Sequence, residues 1–312
     1  MFRSVVDCDR LKVAGVEFDF LLKADVIRAV DYWRDRGQRQ YVVLTNPHSV
    51  MLCGRHWGMR RATTRAAIRL PDGVGIVVAA KLLGYGRRHR VTGPALMLEL
   101  CDKGREQGYR HFFYGGGDGI AERLVERLSG EFPGLQVAGT YCPPFTDRVA
   151  AEDPAVIDRI NATRPDIVWV GLGAPKQEVW MAANRGRLNA AAMIGVGAAF
   201  DFHSGNVPWA PTWMRKCGME WAYRLLAEPK RMWRRNLDSP MFLSRVLGQA
   251  AAKRVARLAW WRNAPTPRPT PAPAVTAANP PRDRQRRRVE VTVSPHLTAG
   301  DVLDAETQLV ER

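Results

Sequence analysis

At 312 residues the chain is long enough for two domains, or for one domain with appendages, and its formal charge of +16 and pI near 10.2 call for an anionic partner. Nucleic acid, an anionic membrane surface and a phosphorylated substrate all fit that charge. Five widely spaced cysteines with no CxxC pair argue against a disulfide framework and a zinc site, and fit a reducing cytoplasm. The N-terminal MFRSVVDCDRLKVAG has no apolar signal region, and no run approaches about 18 consecutive apolar residues, so membrane contact is expected to be peripheral.

In chain order, Val5 to Leu22 alternates apolar and polar residues around Gly15 and reads as a short hairpin or edge strand. Ala24 to Arg36 has helical spacing and stops at Gly37. Tyr41 to Thr45 is a short buried strand ended by Asn46-Pro47, and the basic stretch Met51 to Arg69 reads as helix with a loop. Leu70-Pro71-Asp72-Gly73 is turn chemistry leading into a buried helix, Val74 to Leu83. Asp72 is either an ordinary turn residue or a carboxylate at the mouth of a cleft, where it would suit general-base work. Thr92 is the expected N-cap of a helix from Ala95 to Gln107 that ends at Gly108, and Arg90 stands just before it. Arg110 to Tyr114 is a strand that runs into Gly115-Gly116-Gly117 and a helix, Ile120 to Glu131. Leu135 to Gly139 is a further strand, Tyr141 to Asp147 a loop, and Pro154 to Ala162 a helix.

The most informative stretch is Gly171 to Trp213. A buried strand, Asp166 to Leu172, enters a turn at Gly171 and Gly173, and a helix follows with Lys176, Gln177 and Glu178 in its first turn. A second apolar run, Ala190 to Val196, breaks at Gly195 and Gly197 and delivers Asp201. Glycine turns at successive strand ends expose backbone N–H groups that attract anions, phosphate above all. Strands alternating with helices from residue 41 to 200 give an α/β fold: a Rossmann-like, mainly parallel sheet whose ligand site lies at the carboxyl ends of the strands. No dinucleotide GxGxxG fingerprint follows the first strand, which counts against an NAD-dependent enzyme.

Residues 208–262 differ in kind. They hold six of the ten tryptophans, and from Arg215 to Arg262 there are twelve Lys or Arg against three acids, Glu220, Glu228 and Asp238, a local charge of +9. Prolines divide the region into three expected helices, Pro211 to Glu228, Pro229 to Leu237 and Pro240 to Arg262. Basic amphipathic helices with tryptophan fit an anionic membrane surface. Packing on the core, or on nucleic acid, stays open on the residues alone, although no RNA- or DNA-binding motif is visible. From Ala264 the chain has seven prolines in eighteen residues, which describes a linker or disordered tail. The expected organisation is a core at 1–207, a basic helical appendage at 208–262 and a Pro-rich tail at 263–312.

Seven ordered blocks resemble the WecG/TagA/CpsF glycosyltransferases of bacteria, glycosyltransferase family 26. They are Thr45-Asn46-Pro47, LPDGVGI at 70–76, RVTGP at 90–94, FYGG at 113–116, GLGAPKQEVW at 171–180, GVGAAFDF at 195–202 and WMRKCGMEWAYRLLAEPKRMWRR at 213–235. The resemblance implies inverting transfer of a hexose or N-acetylhexosamine from a UDP-sugar onto a polyprenyl-diphosphate-linked sugar, on the inner face of the bacterial plasma membrane, with no cofactor and no required metal. It makes Asp72 the base and puts Asn46 and Arg90 in the same cleft. Gln177 and Asp201 fall near the donor, and the turns at Gly115, Gly116, Gly171, Gly173, Gly195 and Gly197 near the nucleotide. Arg224, Arg231 and Arg234 match arginines that close over the site and meet the leaving diphosphate. Leu44-Thr45-Asn46 departs from the Thr-Pro-Asn of some members. The sugar is not named by the sequence. The tail and the basic loop incline towards exopolysaccharide synthesis, and whether the appendage packs on its own core or on a second copy is left open.

Overall fold

The structure is a computed structural model that describes residues 10–86, 88–144 and 152–263. The Pro-rich segment from Ala264, the rest of the tail to Arg312 and the end of the loop from Tyr141 lie outside the described residues.

Strands β1 (Arg10–Val13) and β2 (Val16–Asp19) form the expected antiparallel hairpin. Its turn residues Ala14 and Gly15 both take positive φ, 48° and 92°, the two-residue turn whose twist matches that of paired strands. Helix α1 (Lys23–Asp35) follows, then β3 (Gln40–Thr45), α2 (Pro47–Arg55), α3 (Trp57–Arg65) and β4 (Ile68–Pro71). The chain continues through α4 (Val74–Leu82), α5 (Gly93–Lys103), β5 (Arg110–Gly115), α6 (Ile120–Glu131), β6 (Gln136–Tyr141) and α7 (Pro154–Ala162). Next come β7 (Ile167–Gly171), α8 (Lys176–Asn184), β8 (Ala192–Gly195) and α9 (Ala199–His203). Four more helices close the described chain: α10 (Thr212–Lys216), α11 (Glu220–Ala227), α12 (Pro229–Asn236) and α13 (Asp238–Asn263).

Strands β3 to β8 form one parallel sheet in the order β4-β3-β8-β7-β5-β6. Alternate residues of each strand point to opposite faces. Val42, Leu44, Phe113, Trp169 and Ile194 enter one core, and Tyr41, Val43, Phe112, Val168 and Met193 enter the other. Both faces are therefore covered by helices, as a parallel sheet requires. His111 is buried in the sheet, accepts the Trp169 indole N–H at 3.0 Å, and is held neutral, its pKa lowered to about 3 by burial.

Four expectations are corrected. Residues 68–71 form a strand, β4, where the sequence suggested only the end of a helical stretch and a turn. The charge that hid it, Arg69, is buried and donates Nη2 to Asp19 of β2 at 3.3 Å, so it is neutralised within the fold. The helix after Thr92 stops at Lys103, because Gly104 turns the chain to bring Tyr109 back against it (Tyr109 N–H to Gly104 O, 2.9 Å). Thr92 takes the N-cap position without a side-chain cap bond. Residues 211–228 are two short helices, broken at Gly218, whose φ of 76° lies in the left-handed region. The helix from Val74 is buried only on its Ile76, Ala79 and Ala80 side, and Val78 and Leu82 are exposed.

The last helix packs on the rest of the described chain. Phe242 and Val246 of α13 are buried with Val50 and Met51 of α2, Ile76 and Ala79 of α4, and the hairpin. Asp238, at the start of α13, is buried. It bonds His48 Nδ1 at 2.5 Å and pairs with Arg55, both on α2.

Candidate active site

In a parallel sheet all the carboxyl ends lie on one rim, and the turns that follow them build the site. A cavity of about 150 Å³ opens there, at the ends of β3, β4, β7 and β8. Asn46 enters from the end of β3, Asp72 from the end of β4, Gly171 and Gly173 from the end of β7, and Gly195 and Gly197 from the end of β8. Neighbouring strands lie about 4.8 Å apart, so Asp72 stands about 10–14 Å across the rim from the β8 and β7 turns, with Asn46 between.

Asp72 is fixed by its backbone. Its N–H donates to the Thr45 carbonyl at 3.0 Å, which continues the β3–β4 register one residue past the strand. Gly73 then takes φ 90°, a conformation that lets the chain turn at once into α4. Burial raises the Asp72 carboxyl to about 7, and the Glu220 carboxylate adds to the rise, while the Arg224 and Arg90 guanidiniums oppose it. A carboxylate poised near neutral pH is a competent proton acceptor at that pH. Asn46 caps α2 by accepting the Ser49 N–H at 2.9 Å, so its amide nitrogen is what it offers to a ligand.

On the far side, Gln177 is buried in the first turn of α8. Its Nε2 donates to Glu178 at 3.0 Å, and its Oε1 has no hydrogen-bond partner among the described residues. Gly195 lets Gln177 and Met181 lie close against the strand end, where a Cβ would come within 3.1 Å of Gln177 Nε2 and 2.7 Å of Met181 Cε. Asp201 on α9 accepts the Asn206 amide at 3.0 Å. Gly171 admits the Phe200 ring, which a Cβ would meet at 2.8 Å.

The third wall comes from the C-terminal helices. Glu220 and Arg224 lie one turn apart on α11 and both line the cavity. A ladder of rings and guanidiniums runs beneath Arg224. The Arg224 guanidinium sits 5.3 Å from the centre of the Phe202 ring, Phe202 stacks on Trp209 at 6.2 Å, and Arg215 lies 3.6 Å over Trp209. His203 meets the edge of Trp209 and bonds the Pro94 carbonyl at 3.0 Å. Cation–π contacts of this kind are worth about 0.5–2 kcal/mol each.

Asn46, Asp72, Gln177, Asp201, Arg224 and the turns at 171–173 and 195–197 are thus brought together. Arg90 does not line the cavity. It donates to the Arg215 carbonyl and acts on Asp72 through its charge. Gly115 and Gly116 do not line it either. A Cβ on Gly115 would strike the Gly171 carbonyl carbon at 2.9 Å, and one on Gly116 would crowd Ile120 and Phe200, so both allow close packing of the strand ends. Arg231 and Arg234 belong to α12, and their side chains fall outside the described residues. Glu220 and His48 are titratable lining residues to which the sequence reading gave no role. The available signal was chemical: three acids sit in a strongly basic stretch, and two of them, Glu220 and Asp238, turn inward to the site or to His48 beside it.

Comparison with known proteins gives the same reading. Residues 11–256 match the sequence model of the glycosyl transferase WecG/TagA/CpsF family. An N-acetylglucosaminyldiphosphoundecaprenol N-acetyl-beta-D-mannosaminyltransferase of Bacillus spizizenii is 34% identical over 213 residues, covering 68% of this chain and 80% of that protein. A Staphylococcus aureus protein of the same name is 27% identical over 252 residues, covering 80% of this chain and 96% of its own. The chain belongs to the WecG/TagA/CpsF family of glycosyltransferases.

Proposed function

We propose that the protein transfers N-acetylmannosamine from its UDP-sugar to N-acetylglucosaminyl-diphosphoundecaprenol, or to a closely similar lipid-diphosphate-linked sugar, with inversion at the anomeric carbon. The observation that carries this is the shared cavity, with one carboxylate near neutral pKa on the β4 side and glycine turns on the β7–β8 side. The substrate names come from the relatives in Bacillus and Staphylococcus. In this reading the acceptor hydroxyl lies against Asp72, which takes its proton as the oxygen bonds the anomeric carbon. The bond from that carbon to the diphosphate breaks on the opposite face, and UDP leaves with the electron pair. Gln177 and Asp201 hold sugar or nucleotide hydroxyls. The charge that develops on the diphosphate is met by Arg224, by the backbone N–H groups of the glycine turns, and by Arg231 and Arg234 as the family resemblance implies.

Peripheral attachment to an anionic membrane completes the proposal. Among the described residues no helix is long and apolar enough to cross a membrane. The C-terminal helices nevertheless expose Trp213, Trp221, Leu226, Trp233 and Trp260 amid arginines and lysines, the composition that interfacial helices use.

The decisive experiment is UDP release from a panel of UDP-sugars with a lipid-diphosphate-linked N-acetylglucosamine acceptor. The expected result is turnover with UDP-N-acetylmannosamine and a loss of about 10²–10⁴-fold in Asp72→Asn. Turnover with UDP-glucose alone would reassign the donor, and unchanged turnover in Asp72→Asn would remove Asp72 as the base.

A further inference from the structure

A larger cavity, about 360 Å³, lies away from the catalytic rim, where the β1–β2 hairpin, α2, α3, β4 and α13 meet. It shares no lining residue with the catalytic cavity. Its floor includes buried Thr63 and buried Arg69. Arg69 gives its two terminal nitrogens to the Thr64 carbonyl (3.1 Å) and to Asp19 (3.3 Å), and its Nε has no hydrogen-bond partner among the described residues. The rim carries three exposed cations, Lys12 from the hairpin, Arg60 from α3 and Arg245 from α13. None of the three has a side-chain ion pair or hydrogen bond among the described residues. One acid, Glu17, faces them, and its carboxylate already lies 3.9 Å from Arg10.

The placement of Arg245 is specific. Its guanidinium lies over Gly54 of α2, so close that a Cβ there would come within 2.9 Å of Nη1. A long solvated side chain ordinarily avoids other cations. Here the packing of α13 on α2 delivers a guanidinium from a distant part of the sequence into a cavity that already holds a lysine and two arginines. With Arg69 matched by Asp19, three unpaired cations still face a single lining acid, and that makes an anion site, because guanidiniums pair with phosphate oxygens through charge-assisted hydrogen bonds. The volume also exceeds what one phosphate group needs, given that one water occupies about 30 Å³ of liquid. It fits a phosphate that carries an organic substituent.

We propose that this cavity is a second ligand site, distinct from the catalytic one, which binds a phosphate ester through Arg60, Arg245 and Lys12, with the unpartnered Nε of Asp19-paired Arg69 at its floor. The ester is either a phospholipid headgroup or a soluble sugar or glycerol phosphate. The site does not depend on the transferase reading.

The test uses the full chain and two variants, Arg60→Gln/Arg245→Gln and, as a charge-matched control outside the basic C-terminal helices, Arg123→Gln/Arg127→Gln on α6. All four arginines are exposed, and circular dichroism would verify the fold. Binding of sn-glycerol 3-phosphate is measured by calorimetry, and binding to phosphatidylglycerol against phosphatidylcholine vesicles by flotation. The expected result is at least a tenfold loss in one arm for Arg60→Gln/Arg245→Gln that the control does not share, and the arm that responds names the source of the phosphate. No loss in either arm, or an equal loss in the control, would overturn the proposal.

Discussion

At the scale of single residues, the site turns on how one carboxyl is charged. Asp72 sits near pH 7 in the fold but at about 4 in an unfolded chain. Between those values the native state holds a proton that the unfolded state has released. This group's contribution to stability therefore falls as pH rises from about 4 to about 7, and above 7 the native protein carries a desolvated charge. Asp72→Asn should consequently raise stability at pH 8, by on the order of 1–3 kcal/mol, while cutting turnover by about 10²–10⁴-fold; thermal melts of the two proteins at pH 5 and pH 8 check the stability. The rate, by contrast, should rise with pH through about 7 as the base is freed. Glu220→Gln should move that rise to lower pH and Arg224→Gln to higher pH, opposite displacements that a kcat/KM profile resolves. Asp72, Asn46, Gln177 and Asp201 were legible in the sequence because each stands just behind a strand end, inside an ordered motif block. Glu220 was given no role, because its effect runs through space to a residue nearly 150 positions earlier, and the one mark it bears in sequence is being an acid in a strongly basic block.

At the scale of elements, the sequence was most legible where buried strand runs ended in glycine or in Asn-Pro. β3, β5, β7 and β8 fall within a residue or two of expectation. β4 was missed because four residues containing a charge and ending in proline give no period, and its strand character comes from pairing with β3. The region after Pro211 was read correctly as helical but not in its breaks, since Gly218 interrupts a run whose composition stays helix-forming on both sides. α13 is the element whose attachment is most testable. Asp238 is buried between His48 and Arg55, and its loss removes the carboxylate that both the His48 ring and the Arg55 guanidinium meet. Asp238→Ala should lower stability by roughly 1–3 kcal/mol and speed amide hydrogen exchange along α13 more than in the sheet. Equal acceleration everywhere would mean that the clamp belongs to the global fold and not to α13 alone.

At the scale of the whole molecule, the basic charge and the exposed tryptophans act together. Electrostatic attraction to an anionic surface weakens with salt, whereas burial of aromatic rings does not. Binding of the full chain to phosphatidylglycerol vesicles should fall several-fold between 50 and 500 mM salt, and a residual component should be lost in Trp221→Ser/Trp233→Ser. Vesicle flotation across that range separates the two, and a chain that ignores phosphatidylglycerol at low salt would remove the membrane from the proposal. The strand order has a different consequence, for the moment when the chain is made. β3 and β4 are neighbours, as are β5 and β6, but the two pairs touch only through β8 and β7, which come last among the strands. A chain emerging from the ribosome therefore carries two separate strand pairs, each with an open apolar edge, until about residue 195 has been synthesised. The middle of the sheet closes from the late end of the sequence. Until it does, Tyr41 to Leu44 and Phe112 to Tyr114 offer bare strand edges to any neighbouring nascent chain, so the newborn protein is a natural client for chaperones.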